Sequence, residues 1–309
     1  MSKKKLKIII TGSSGYIGSY LVKKLKKNFS ITGIDYKYPS FNPIGYKFIK
    51  KNLLNLNEFE LKKILKKKDV LIHLAAIKHN NKKSKKFLIK LNKKFTKKLF
   101  YLAKDSSIKK IIFSSSLYVY GVKNINNFKI NNERDKCLPN TLYGKSKLYG
   151  ENILKKLSKN KNLSYYNLRL FFVYGYKPFK KSLYPSFINK TFDRLYSEKG
   201  PIIYNDGNQI LDYVHIKDVL KIILKCIKTK KKNITLNVCS GSQISIKNIA
   251  IEIMKIFKRK DLKIIYGKKD KTKNTVRIGS PYLVKRIFNL NKLLTIKKGL
   301  KKLSYSYGR

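Results

Sequence analysis

Three residues in this 309-residue chain could together move a proton: Ser116, Tyr143 and Lys147. A phenol ordinarily ionises near pH 10, too high for a base at neutral pH. An ammonium one helical turn away favours the phenolate and lowers that value, and Tyr143 and Lys147 stand four apart. A serine hydroxyl can hold a substrate oxygen, so that Tyr143 takes its proton as the carbon gives up a hydride. A Tyr-x-x-x-Lys match carries little alone in a chain with 22 tyrosines and, beside its seven arginines, 66 lysines. Its context carries more: a serine-rich strand end, Ser114-Ser115-Ser116, precedes it, and a turn built for a dinucleotide lies near the start of the chain.

In that turn, Ile8 to Ile10 reads as a buried parallel strand, and Ile17, Leu21 and Leu25 mark one face of the helix that follows. Between them stand Gly12, Gly15 and Gly18. The first permits a tight turn, the second lets backbone N–H groups approach a pyrophosphate, and the third lets the helix pack on its strand. The helix N-terminus adds partial positive charge. A second strand, Ile31 to Ile34, ends in Asp35, 20 residues after Gly15. A carboxylate there accepts both ribose hydroxyls of an adenosine and repels a 2′-phosphate, which favours NAD over NADP. Lys37, two residues on, works against that preference.

These groups need a scaffold that brings strand ends together. Further strands are expected at Tyr46–Ile49, Val70–His73 and Ile111–Phe113, with helices over Leu56–Leu65, Phe87–Ala103 and Tyr143–Leu157. The second of these helices reads as one long amphipathic element with Leu88, Leu91, Phe95, Leu99 and Leu102 on a stripe. Alternating strand and helix argues an α/β fold with a doubly wound parallel sheet. Gly12, Asp35, Asn52, Ala75 and Ser116 then all fall at carboxyl ends of strands, where ligands of such sheets bind. His73 reads as a hydrogen-bonded residue beside the site, not a catalytic one. From Tyr166–Phe172 onward the elements shorten, with strands expected at Leu211–Ile216 and Leu236–Val238 and helices at Lys217–Lys228, Ile246–Phe257 and Lys297–Leu303. The expected division is a dinucleotide-binding domain over 1–170 and, over 171–309, mainly a smaller mixed α/β substrate lobe. The strands near 211–216 and 236–238 are open to returning to the first domain.

Lys and Arg total 73 against 16 acids, a formal charge of +57. The lysines run through nearly every segment instead of forming a patch, and Arg, the usual reader of bases, is rare. A specific nucleic-acid partner is therefore not expected. Non-specific binding to polyanions at low salt is. Lys, Asn, Ile and Tyr share A/T-rich codons, so drift accounts for the excess. Cys137, Cys226 and Cys239 are scattered without metal-ligand spacing, which fits a reduced, cytoplasmic setting and no metal. The apolar run after Lys3-Lys4-Lys5 is too short for a signal peptide, and no stretch is long enough to span a bilayer.

The motifs taken together resemble the extended short-chain dehydrogenase/reductase family, of the NAD-dependent nucleotide-sugar epimerase and dehydratase type. Thr11 to Gly18 is similar to its T-G-x-x-G-x-x-G, His73-Leu74-Ala75-Ala76 to H-x-A-A, and Phe113 to Gly121 to the catalytic-serine strand. Leu168 to Gly175 resembles L-R-x-x-N-V-Y-G, Asp206 to Val219 resembles D-G-x-Q-x-R-D-F-V-H-V-x-D-V, and Leu236 to Gly241 resembles Y-N-V-G-S-G. The resemblance implies a Rossmann-type doubly wound sheet, NAD as cofactor, and Ser116, Tyr143 and Lys147 as catalytic residues. Cofactor contacts are implied for Gly12, Ser14, Gly15, Tyr16, Ile17, Gly18, Asp35, Asn52, Leu53, Leu74, Ala75, Ala76, Asn92 and Ser114, with Tyr143 and Lys147 again. It also implies a homodimer paired through the helices near Phe87–Ala103 and Tyr143–Leu157.

The chain departs from the family at two substrate positions: Phe172 stands where an asparagine is usual and Leu211 where an arginine is. Both commonly touch the nucleotide diphosphate. Arg277, or Lys177, Lys180 and Lys181, could replace the missing cation, and substrate contacts are expected at Ser116, Tyr118, Phe172, Lys177 and Arg277. The sugar 4,6-dehydratases carry Asp-Glu directly after the catalytic Ser/Thr, where this chain has Leu117 and Tyr118, so dehydration is not expected. The expected activity is epimerisation of a nucleotide-linked sugar through a transient keto intermediate. A 4-keto-sugar reductase, or a non-catalytic RNA- or polyanion-binding relative, remains as an alternative.

Overall fold

A computed structural model describes residues 5–39, 44–78, 82–124, 126, 128–159, 162–176, 186–267 and 275–308. In chain order its first half runs β1 (Lys7–Thr11), α1 (Tyr16–Leu25), β2 (Ser30–Asp35), β3 (Lys47–Lys50), α2 (Glu58–Leu65), β4 (Val70–His73), α3 (Lys82–Leu88), a π-helical stretch Ile89–Phe95, α4 (Thr96–Lys104), β5 (Lys110–Ser116), β6 (Lys123–Asn124) and α5 (Leu142–Leu157). The second half runs β7 (Ser164–Leu170), β8 (Phe172–Tyr174), α6 (Phe187–Tyr196), β9 (Ile202–Tyr204), β10 (Ile210–Leu211), β11 (Tyr213–His215), α7 (Ile216–Lys228), β12 (Ile234–Val238), β13 (Ile244–Ser245), α8 (Ile246–Phe257), β14 (Ile265–Gly267), β15 (Thr275–Arg277), α9 (Tyr282–Phe288) and α10 (Ile296–Ser304).

Seven strands form the central sheet in the order β12-β7-β5-β4-β1-β2-β3. The pairs from β5 through β3 are parallel. This is the doubly wound α/β arrangement, and it follows from strands buried on both faces: Ile8, Ile9 and Ile10 are at most 1% exposed. Ile9, Ile34, Leu71, Phe100, Phe113 and Leu154 share one apolar core.

Two compact units divide the chain. The first comprises 1–121, 137–169 and 223–236, and the second 122–136, 170–222 and 237–309. The second unit has its own core, including Tyr174, Phe192, Leu211, Ile253 and Leu300. Its strands are short: a four-stranded sheet in the order β13-β10-β15-β6 and two-stranded pairs β11-β8 and β14-β9.

Three expected elements come out differently. The strand expected over Tyr166–Phe172 ends at Leu170, and Phe172 opens β8, which pairs with β11 outside the central sheet. The single helix over Phe87–Ala103 is three segments, because Asn92 turns its side chain onto the backbone of Ile77 and Thr96 Oγ1 donates to Leu91 O, widening the coil into a π turn. The strand expected over Leu211–Ile216 breaks at Asp212, leaving β10 and β11 in different sheets. Asp212 is wholly buried, and its carboxylate accepts from Ser240 N and Oγ, Gly241 N and Gly279 N. Burial lifts its pKa to about 6 against the pull of those bonds.

Candidate active site

Helix α5 starts where Thr141, in extended backbone, accepts Gly144 N on its Oγ1 at 3.0 Å. Two glycines let it lie against β5 and the turn beyond. A Cβ on Gly144 would come within 2.2 Å of Tyr118 O, and one on Gly150 within 2.7 Å of the Phe113 ring. Lys147 stands between these two glycines and Tyr143 just ahead of the first.

Lys147 is 2% exposed and donates from Nζ to Ser114 O at 2.7 Å. Its ammonium lies 4.8 Å from the centre of the Phe113 ring and 5.6 Å from that of Tyr143. Burial lowers its pKa to about 7, with repulsion from Lys78 adding and Glu151 opposing. Ser116 Oγ accepts Tyr118 N at 3.4 Å, and Tyr118 meets the Tyr143 ring edge-on at 5.9 Å. Burial raises the pKa of the Tyr143 phenol, Tyr118 adds to the rise, and the Ser116 hydroxyl works against it. The lowering expected from Lys147 is outweighed here by burial, which raises the phenol and also lowers the ammonium.

At the glycine turn, Gly12 has φ +74°, and a Cβ there would sit 2.8 Å from Ala75 N. Gly18 is tighter, its Cβ position lying 2.2 Å from Gly12 O, while Gly15 meets only Gly12 O at 3.2 Å. The backbone at Gly15 is therefore the open part of the cradle. The first main-chain bond of α1 is Ser19 N to Gly15 O, which leaves the N–H groups of Tyr16, Ile17 and Gly18 ahead of the ladder, the donors a diphosphate takes. Asp35 accepts Ser14 N at 3.0 Å and Lys37 N at 3.1 Å, and Ser14 Oγ donates to Lys37 O. Burial raises the Asp35 pKa while the N–H groups of Lys37 and Ser14 lower it. Asn52 caps the turn Leu53–Asn55 by accepting Leu54 N, and Leu53 is buried. These residues fit a dinucleotide: small or absent side chains where phosphates pass, and an acid at the ribose position.

Leu74 N donates to Thr11 O, and the chain then runs through Ala75 and the exposed Ala76 to Ile77. The Asn92 amide binds both Ile77 N and Ile77 O at 2.9 Å and donates to Ser146 Oγ, which donates to Tyr143 O. One amide thereby ties the segment after β4 to the first turn of α5. Ser114 Oγ donates to His73 O. His73 is fully buried between Thr11 Oγ1 and Thr96 Oγ1, its pKa lowered to about 3 by burial, so it is a neutral support.

In the second unit, Phe172, Leu211 and Arg277 come together. Leu211 and Arg277 are register partners on the parallel strands β10 and β15, so their side chains leave the sheet on the same side. The Arg277 guanidinium sits 5.8 Å from the centre of the Phe172 ring and donates to Thr275 Oγ1. Lys177, Lys180 and Lys181 lie outside the described residues.

Sequence reasoning passed over Lys78, whose charge reaches Lys147, and Glu151. The signal for Glu151 was its spacing: an acid four residues after Lys147 continues the Tyr143–Lys147 stripe on α5. Among the described residues there is no group of three or more His, Cys, Asp or Glu able to hold a metal ion, and no helix is long and apolar enough to cross a membrane.

The model of the NAD dependent epimerase/dehydratase family matches residues 8–239. A dTDP-D-glucose 4,6-dehydratase of Dictyostelium discoideum is 30% identical over 282 residues, which cover 81% of this chain but only 62% of that protein. The UDP-N-acetylglucosamine 4-epimerase of Methanobrevibacter ruminantium M1, solved with UDP-N-acetylmuramic acid, superposes with a TM-score of 0.83 at 26% identity, covering 98% of this chain and 100% of that one. A UDP-glucuronic acid 4-epimerase of Bacillus cereus, solved with NAD, gives 0.82 at 26% identity with 98% of each chain covered. With the family match running from β1 into β12, this chain belongs to the NAD dependent epimerase/dehydratase family, the nucleotide-sugar enzymes of the extended short-chain dehydrogenase/reductases, whose cofactor is NAD.

Proposed function

We propose that this protein is an epimerase that inverts one ring carbon of a nucleotide-linked sugar through a transient ketone. The observation that carries the reading is the buried Lys147, held on Ser114 O at 2.7 Å and standing one helical turn from Tyr143 on α5. A sugar hydroxyl placed between Ser116 and Tyr143 is oriented by the first and gives its proton to the second. Bound NAD supplies the acceptor and later the donor of the hydride. The Gly12–Gly18 turn would hold its diphosphate, Asp35 its adenosine ribose, and Asn52 with Leu53 its adenine edge. To take that proton Tyr143 must enter the step as its phenolate, and the Lys147 ammonium one helical turn away is the group that would favour that form. Tyr143 returns the same proton when the hydride arrives on the other face of that carbon, so nothing is consumed.

Arg277, with Phe172 behind it, takes the role of diphosphate partner that Leu211 lacks. Leu117 and Tyr118 offer no carboxylic acid for eliminating water, which separates this reading from the dehydratases. A homodimer paired through α3 to α4 and α5, a cytoplasmic setting for Cys137, Cys226 and Cys239, and salt-sensitive contact with polyanions complete the proposal.

The test is to incubate the protein and NAD with UDP-, GDP-, CDP- and dTDP-hexoses and follow them by NMR. One epimer pair should equilibrate without net NADH. A 4-keto-6-deoxy product, net oxidation or reduction, or no conversion of any sugar would overturn the reading.

A further inference from the structure

The three serines ending β5 are each taken by a different residue of one stripe on α5. Tyr143, Lys147 and Glu151 follow one another at four-residue spacing, so they stack along the helix. The Ser116 hydroxyl acts on the Tyr143 phenol, Ser114 O accepts Lys147 Nζ, and Ser115 Oγ donates to the Glu151 carboxylate. The first two rungs belong to the proton chemistry above. The third does not, yet it carries a buried charge.

Glu151 and Arg169 have side chains only 5% and 6% exposed and pair through two bonds, Nε to Oε1 at 3.0 Å and Nη2 to Oε2 at 2.7 Å. Arg169 also donates from Nη1 to the Tyr120 hydroxyl at 2.9 Å, with its guanidinium 4.8 Å over the Tyr120 ring. Ser115 precedes Ser116 and Tyr120 ends the turn that follows it. The pair, reaching from α5 and β7, therefore grips the chain on both sides of the serine.

Buried ion pairs are poor sources of stability, because desolvation offsets their attraction and apolar replacements are often neutral or stabilising. What a two-bond guanidinium–carboxylate pair supplies is fixed direction. We infer that Glu151 and Arg169 are positioning residues for the reaction. They set the height and rotation of α5 against β5, so that the Tyr143 and Ser116 hydroxyls meet at one substrate oxygen. The inference rests on the reading of Tyr143 as the proton-transfer group. An error of about 1 Å in such a placement can cost on the order of 100-fold in rate.

The deciding variant is the apolar pair Glu151→Leu with Arg169→Met, studied with NAD present. Three quantities are measured: thermal unfolding, hydrogen–deuterium exchange, and kcat and KM on whichever nucleotide sugar the wild type converts. The expected result is unchanged or higher thermal stability, exchange at least tenfold faster in 114–121 and 142–151 but not in β1 or β2, and kcat lower by about 30-fold with KM within threefold. A stable variant with wild-type exchange, or with wild-type kcat, overturns the inference. Should the double variant fail to fold, Ser115→Ala removes the third rung without touching a charge. It should lower kcat about fivefold at unchanged KM, and wild-type kcat there overturns the inference as well. If the wild type converts no sugar nucleotide, the functional reading falls instead, and the exchange pattern alone decides whether the pair sets the β5–α5 geometry.

Discussion

β5 and α5 in the first unit and β8, β10 and β15 in the second are built by different rules. In the first, each group of the proposed proton machinery is held by something that leaves it little freedom: Lys147 by Ser114 O, Tyr143 by Ser146 on its carbonyl, the helix itself by two glycines pressed onto Tyr118 and Phe113. In the second, strands of two and three residues carry Phe172 and Leu211 where the family has an amide and a guanidinium, and a guanidinium appears one strand away on Arg277. The difference is one of tolerance. Proton transfer depends on sub-ångström placement, whereas a diphosphate needs cationic donors within reach and accepts them from a neighbouring strand.

The largest effect should come from the intolerant region. Tyr143→Phe removes one oxygen and keeps the ring that packs against Tyr118, so the fold and NAD affinity should stay within a few-fold of wild type by calorimetry. Turnover of the sugar substrate should fall about 1000-fold, within the usual range for a positioned acid–base group. Near-normal turnover would break the comparison at its root.

Next comes the tolerant region. Arg277→Ala should weaken nucleotide-sugar binding by about 1.5–3 kcal/mol, the scale of a hydrogen bond to a charged group. The sharper experiment restores the family's arrangement by adding Leu211→Arg to Arg277→Ala. If only the presence of a guanidinium on that side of β10 and β15 matters, at least half of the lost binding energy should return. No recovery would mean that the strand matters as much as the charge.

The same contrast explains what could be read from the sequence. The sheet was legible because its strands are nearly continuous apolar runs such as Ile8–Ile10, and the glycine turn because its spacing is local. The π turn was not, because Leu88, Phe95 and Leu99 keep a helical stripe whether or not the coil widens, and the cause is an amide bond from Asn92 to Ile77, 15 residues away. The break at Asp212 was hidden for a like reason: its partners Ser240, Gly241 and Gly279 are far along the chain. The Tyr143–Lys147 spacing showed that the two groups meet, but the direction of the phenol's shift depends on burial, which spacing does not contain.

The smallest expected effect sets the two units side by side under acid. Each holds an imidazole that burial keeps neutral: His73, with its pKa lowered to about 3, and His215, lowered to about 4 with Lys217 and Lys302 adding repulsion. A group whose pKa is lower folded than unfolded contributes stability that is present above the unfolded value, near 6.5, and lost as pH falls towards the folded one. Each histidine should thus cost up to about 1.4 kcal/mol per pH unit below 6.5. Asp212 acts in the opposite sense. Its folded pKa of about 6 lies above the unfolded value of 3.8, so its contribution is present at low pH and lost as pH rises through 6. Below pH 6 the aspartate therefore cancels one histidine, leaving a net loss of about 1.4 kcal/mol per unit. His215→Asn retains an acceptor for Lys217 N, which His215 Nδ1 now takes at 3.2 Å, and removes one of the two titrations. Urea unfolding of this variant between pH 6 and 5 should be nearly flat where the wild type slopes. An unchanged slope would place the acid sensitivity in the first unit alone, with His73.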